Sequence, residues 1–241
     1  MDFVTLTVLI ITSIIQSIFG TGVLLFGTPL LLLIGYNFQN SLIILLPTSI
    51  LISLIQTVRH IKMIDYKFYK KLFIYTIPAI VLFLYLINQN PIKINVFVGL
   101  FLIILSLKHK IISINNFFQK IMKFEGFYLL TTGIIHGLTN LGGSLLSGIV
   151  FSKKISKESK RTTIAISYLT FAIFQIITII LTFDYGRELD KWIVFYWISG
   201  LTTFFFVEKY LYFKINEKQY IIFSNFFLFI IGIMLVLNNH I

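Results

Sequence analysis

Apolar runs of about one bilayer crossing each recur from one end of this chain to the other, every one stopped by a short polar or charged stretch. A water-soluble core cannot hide that many such runs, so the lipid bilayer must serve as the solvent. Composition agrees. Of 241 residues, 57% are hydrophobic and only 12% charged, where a soluble domain carries about a quarter charged residues. The expected fold class is an all-α polytopic membrane protein. The chain has no cysteine, which excludes disulfides, thiolate metal sites and cysteine nucleophiles. A net charge of +11 would suggest nucleic acid in a soluble domain. In a membrane protein basic residues collect in cytoplasmic loops, so the expected partner is membrane lipid and no nucleic acid. The first apolar run follows Asp2 with no basic leader and passes through Ser17-Ile18-Phe19-Gly20 into another apolar run. It reads as an uncleaved membrane segment, not a signal peptide.

Most basic residues fall in four stretches. The first holds Arg59, Lys62, Lys67, Lys70 and Lys71, and the second Lys108, Lys110, Lys120 and Lys123. The third holds Lys153, Lys154, Lys157, Lys160 and Arg161, and the fourth Lys209, Lys214 and Lys218. Only Lys93, Arg187 and Lys191 lie elsewhere. The bias places all four stretches in the cytoplasm and both termini outside, as in a bacterial inner-membrane protein. Threading the apolar runs between them gives spanning helices at 41–58, 72–88, 94–107, 162–183, 192–207 and 219–238, with outer turns at Asn88-Gln89-Asn90-Pro91 and at 184–191. Two pieces remain, 3–36 and 125–151, each of which must begin and end on one side. Two full crossings need about 40 residues, so the second piece must stop partway, and the first is open between a full pair and a partial hairpin. Irregular backbone at that depth is tolerated only where protein or a polar cavity surrounds it.

The two halves share one plan in opposite orientations. Each is a glycine-broken, partly re-entrant hairpin followed by three transmembrane helices: residues 1–107, then a basic cytoplasmic linker at 108–124, then residues 125–241. Such inverted-topology repeats are a common build of secondary transporters. Gly22-Val-Leu-Leu-Phe-Gly27 aligns with Gly143-Ser-Leu-Leu-Ser-Gly148, and Thr48 and Gln56 then fall opposite Ser167 and Gln175.

The densest glycine and hydroxyl clusters lie in the hairpins. One is Gly20-Thr21-Gly22 with Gly27-Thr28-Pro29; the other is His136 to Asn140, Gly142-Gly143-Ser144 and Ser147-Gly148. Glycine permits unwound backbone and close ligand approach. The second half of an interrupted helix presents free N–H groups at its N-terminus, which favour an anion. Facing breaks would converge on a site for a small anionic substrate, with donors from Thr21, Ser144 and Ser147. The competing reading is that these small residues only let helices pack closely. His136 and Asn140 share a helix face and suit substrate binding or proton coupling, so the coupling ion stays open between proton and sodium. Thr48, Gln56, Ser167 and Gln175 are further contacts, against the alternative that they bond their own backbone or glue helices.

No Asp or Glu and no basic residue is expected within a spanning core, which leaves backbone dipoles and hydroxyls to hold an anion. There is no Walker loop, and no cofactor, metal or enzymatic activity is expected. An intramembrane serine protease built on Ser144 and His136 fails on the missing glycine after the serine and on the short separation of the two residues. An anion channel, another organic-anion carrier and a non-transporting assembly or scaffold protein remain as alternatives.

The run Phe19-Gly20-Thr21-Gly22…Phe26-Gly27-Thr28-Pro29-Leu30-Leu31, followed by a Pro47-Thr48-Ser49 helix, resembles the first repeat of the TauE/SafE sulfite exporter family. The stretch Gly133-Ile-Ile-His-Gly-Leu-Thr-Asn-Leu-Gly-Gly-Ser144 is similar to its second. The chain departs from the family's fuller glycine run at Thr21 and Val23, and has Val150 or Phe151 where a second proline would stand. The resemblance implies a multi-pass exporter of sulfur-containing anions such as sulfite, thiosulfate or organosulfonates. It carries over onto Gly20, Gly22, Gly27 and Pro29, and onto Gly142, Gly143 and Gly148.

Overall fold

The computed structural model describes residues 2–89, 94–108, 110–182, 192–210 and 217–237, and among these every regular element is helical. The helices are α1 (Phe3–Phe19), α2 (Val23–Leu33), α3 (Phe38–Arg59), α4 (Tyr66–Gln89), α5 (Asn95–Leu107), α6 (Ile112–Met122), α7 (Glu125–Thr139), α8 (Gly142–Ser152), α9 (Lys157–Thr182), α10 (Ile193–Tyr210) and α11 (Glu217–Leu237). The outer turn at 184–191, most of the one near Pro91, and the basic residues Lys93, Arg187 and Lys214 lie outside the described residues.

Local chemistry sets the helix ends. Asp2 caps α1, its carboxylate accepting from Val4 N and Thr5 N at 3.0 and 3.3 Å. Asn37 caps α3 by accepting from Asn40 N at 2.8 Å. Both satisfy donors that a helix leaves free. At the other end α1 stops because Gly20 turns left-handed at φ 78°, and α7 stops the same way at Asn140, φ 62°. Glycine enters that region at no steric cost, and asparagine is among the few other residues that tolerate it.

The two arms of each hairpin are unequal in length. α1 has 17 residues and α2 has 11, so the arms measure about 25 and 17 Å. The second arm is too short to cross roughly 30 Å of hydrocarbon. α7 and α8, with 15 and 11 residues, are similarly unequal. Among the described residues α3, α4 and α9 are long and apolar enough to cross singly. α5 is shorter than a crossing at 13 residues, about 20 Å.

Two helix boundaries depart from expectation. α4 begins at Tyr66 and α9 at Lys157, each about a turn or more before its apolar run. A helix propagates past the membrane boundary wherever its backbone bonds continue, so hydropathy marks the apolar window and not the helix. Lys67, Lys70, Lys71, Lys160 and Arg161 are therefore helical. The expected linker is also structured. It contains α6, bent 97° from α5, with Ile112 and Phe117 exposed and Phe118 buried.

Packing runs in reciprocal pairs. α4 lies on α7, α1 on α10, α3 on α9 and α5 on α11. Small residues bring them close: a Cβ on Gly133 would lie 2.4 Å from Thr76 O, and one on Gly137 2.8 Å from Ile80 O. Gly99 and Gly232 likewise face each other's carbonyls. Close backbone approach of this kind is how membrane helices gain contact without a hydrophobic driving force. The ionic contacts collect at one end, where α3 and α10 finish and α4, α7 and α9 begin. Lys71 and Lys153 meet Glu125, Lys153 also meets Asp65, and Arg59 and Arg161 meet Glu208. At the other end Asp2 N donates to Tyr196 Oη and Asn88 to Thr182.

Candidate functional site

Both hairpins break where the glycine clusters sit, and each break is held by a polar residue one turn before it. Gln16 precedes Gly20 as His136 precedes Asn140. A Cβ on Gly22 would strike Gln16 N at 2.5 Å and Thr12 O at 2.7 Å; a Cβ on Gly142 would strike His136 Cβ and Thr132 O, both at 2.5 Å. Thr12 and Thr132, Gln16 and His136, Gly20 and Asn140, Gly22 and Gly142 thus pair at one constant separation. The alignment of Gly22 with Gly143 is one residue out of this register. The unwound residues of the second break are also Asn140 and Leu141, while Gly142 and Gly143 already begin α8.

The freed backbone groups are largely engaged. Gln16 Oε1 accepts from Val23 N at 3.0 Å, while its Nε2 donates to Ser49 O, Ser49 Oγ and Ser53 Oγ at 3.1–3.3 Å. Gln56 Nε2 donates to the terminal carbonyls of α1, Gln16 O at 3.0 Å and Ser17 O at 3.2 Å. The amide at the head of α2 is therefore not bare, as a simple dipole site would need. α8 starts without any side-chain cap.

Two polar clusters link the hairpins. Thr21 Oγ1 donates to Tyr168 Oη of α9 at 2.7 Å, and the same hydroxyl fills the space over Gly143, 1.2 Å from where a Cβ would stand. In the other, Asn140 Nδ2 donates to Thr28 Oγ1 at 2.7 Å, Gln175 Nε2 donates to Asn140 Oδ1 at 3.2 Å, and His136 Nε2 lies 3.2 Å from Gln175 Oε1. All six of these side chains are buried. With the Gln175 amide donating to Asn140, its oxygen must accept from His136, which puts the ring proton on Nε2. His136 Nδ1, Gln56 Oε1, Thr48 Oγ1 and Ser147 Oγ are buried with no hydrogen-bond partner among the described residues.

The remaining candidates stand apart. Gly27 packs on Leu45, Pro29 is buried within α2, Ser167 Oγ donates to its own helix at Thr163 O, and Ser144 Oγ donates to Leu141 O. Thr48 lies against Gly200 of α10, and Gly148 faces Lys108.

Gln16, Tyr168 and Arg161 are the residues sequence reasoning passed over. Arg161, expected in a basic stretch outside the spanning core, is buried at the charged end of α9. It is 6% exposed, and its guanidinium donates to Ser17 O at 2.5 Å and Glu208 Oε1 at 2.8 Å.

Asn140 offers a separable test. Asn140→Gly keeps the left-handed turn but removes both side-chain bonds, and should lower stability by roughly 1–3 kcal/mol through the orphaned Thr28 and Gln175 groups. Asn140→Ala should cost about 1 kcal/mol more, from the φ strain alone. Thermal melting in detergent reads both; equal melting of the two variants would remove the strain argument.

Buried polar groups gathered at interrupted apolar helices fit the interior of a polytopic membrane protein. Residues 5–235 match the family described as sulfite exporter TauE/SafE. The chain belongs to that family and is a sulfite-exporter-like membrane transporter. No curated protein and no solved structure shows a significant match.

Proposed function

We propose that the chain exports small sulfur-containing anions such as sulfite, thiosulfate or organosulfonates by alternating access, at a site between hairpins α1–α2 and α7–α8. Its two halves act as inverted repeats on either side of the linker, with the charged end of the bundle facing the cytoplasm of a bacterial cell. The observation that carries this reading is the convergence of both breaks on Tyr168, which takes the Thr21 hydroxyl from one hairpin and fills the space over Gly143 of the other. Supporting it, the reciprocal packing of α1 on α10 and α4 on α7 is what two copies of one bundle in opposite orientations produce. The orphaned atoms of Thr48, Gln56, His136 and Ser147 add donors and acceptors that packing does not use. Thr21, Thr28, Asn140, Gln175 and His136 are the side chains assigned to the substrate, with Gly20, Gly22, Gly142 and Gly143 allowing the close packing that brings them together.

Purified protein in liposomes loaded in turn with sulfite, sulfate, thiosulfate, a sulfonate and a carboxylate tests the reading. Saturable flux that favours the sulfur anions is expected. Folded protein that moves none of them would defeat it.

A further inference from the structure

Lys108 ends α5 and is only 9% exposed, an unusual position for an ammonium. Three carboxylates at this end of the bundle are engaged elsewhere. Glu125 and Asp65 meet Lys71 and Lys153, and Glu208 meets Arg59 and Arg161. Among the described residues Lys108 Nζ has neither an ion-pair partner nor a hydrogen-bond acceptor. What it does have is the Phe118 ring of α6, 5.4 Å away at the centroid. An aromatic face offsets only part of the cost of removing an ammonium from water.

The ammonium faces Gly148. A Cβ there would lie 2.9 Å from Lys108 Nζ and 3.6 Å from Tyr128 Oη, so the absent side chain keeps a clearance open between α5, α7 and α8. Tyr128 Oη already donates its proton to Leu145 O at 2.8 Å. It therefore offers Lys108 no counter-charge. A buried cation with no counter-ion among the described residues, facing a gap left by glycine, has the elements of an anion site.

We propose that Lys108 binds the oxygen atoms of a small oxyanion over Gly148, at the charged end of hairpin α7–α8 and away from Tyr168. A bound anion supplies the charge that Lys108 lacks among the described residues. The same chemistry is offered by a free oxyanion and by the phosphate of an anionic lipid. If the proposed transport reading holds, this is where a sulfur anion first meets the protein on the basic side; the binding claim itself does not require that reading.

Detergent-solubilised protein titrated with sulfite, thiosulfate and inorganic phosphate tests it, with melting temperature as the readout of binding. Lys108→Gln should weaken the stabilisation by about tenfold in concentration, as expected for loss of a charged hydrogen-bond partner. Gly148→Ala keeps the charge but fills the clearance and should weaken it likewise, while Lys108→Arg should retain much of it. A parallel arm in nanodiscs compares phosphatidylglycerol with phosphatidylcholine. Stabilisation by phosphatidylglycerol alone, lost in Lys108→Gln, assigns the site to a lipid phosphate and upholds it. Wild-type protein stabilised by neither source, or a folded Lys108→Gln that responds as wild type does, overturns it. Flux that persists in Lys108→Gln with unchanged anion response would remove this site and leave the transport reading standing. Binding without any flux would do the reverse.

Discussion

Gly143→Ala should abolish the folded transporter or leave it severely destabilised, although it adds a single methyl group. That methyl would stand 1.2 Å from Tyr168 Oη and 2.2 Å from its Cζ, far inside any permitted contact. Tyr168 is fully buried and cannot swing aside cheaply, with Phe171 and His136 rings 6.0 and 6.2 Å away centre to centre. Displacing it also deprives Thr21 of its acceptor. Overpacking costs about 1–3 kcal/mol, and the orphaned hydroxyl roughly 1–3 kcal/mol more. Most membrane proteins do not tolerate a loss of that size. Gly126→Ala is the control, because the nearest atoms to its Cβ would be in the ring of the exposed Tyr75, at 3.2 Å. It should shift stability by no more than about 0.5 kcal/mol. Coupling decides the cause: Gly143→Ala combined with Tyr168→Leu should be more stable than the sum of the two single losses predicts. If Gly143→Ala melts and transports like wild type, Tyr168 does not close the second break.

How much of this was legible depended on what each residue does to hydropathy. Gly20 and Gly22 interrupt an apolar run, and α1 breaks there. The second break was misplaced slightly because two adjacent glycines drew attention away from Asn140, whose tolerance of the left-handed turn makes it the actual stop. Gln16 was hidden as one polar residue in a long apolar run, yet its spacing before Gly20 matches that of His136 before Asn140. That register was available in the residues and would have paired the two. Tyr168 carried no signal at all, since a chain with 12 tyrosines and 26 phenylalanines makes any one aromatic look structural. Arg161 was assigned to a loop because the polar stretch before an apolar run reads as solvent. A helix that starts at Lys157 instead lays Arg161 against the end of α1. Gln56 and Gln175 fall opposite each other when the two halves are aligned. Both reach a break, one through backbone carbonyls and the other through Asn140 and His136.

Removing either partner of the Arg161–Glu208 pair should be the other severe lesion, and the two losses should not add. The pair joins α9 to α10 at 2.8 Å with side-chain exposures of 6% and 12%. Salt in solution screens so enclosed a contact poorly. Breaking such a pair costs about 3–5 kcal/mol because a buried charge is left behind. Glu208→Gln should be the worse variant, since it leaves Arg161 buried and Arg59 beside it without their common carboxylate. Arg161→Met is milder on two counts. Glu208 keeps Arg59, and Ser17 O keeps the Gln56 donor when it loses the guanidinium. Replacing both charges, as Arg161→Met with Glu208→Leu, removes the desolvation cost along with the attraction and should recover most of the lost stability. Melting temperatures of the two single variants and the double, in low and high salt, test the argument. A double variant as unstable as Glu208→Gln would mean that the tie between α9 and the end of α1, and not the uncompensated charge, is what the fold requires.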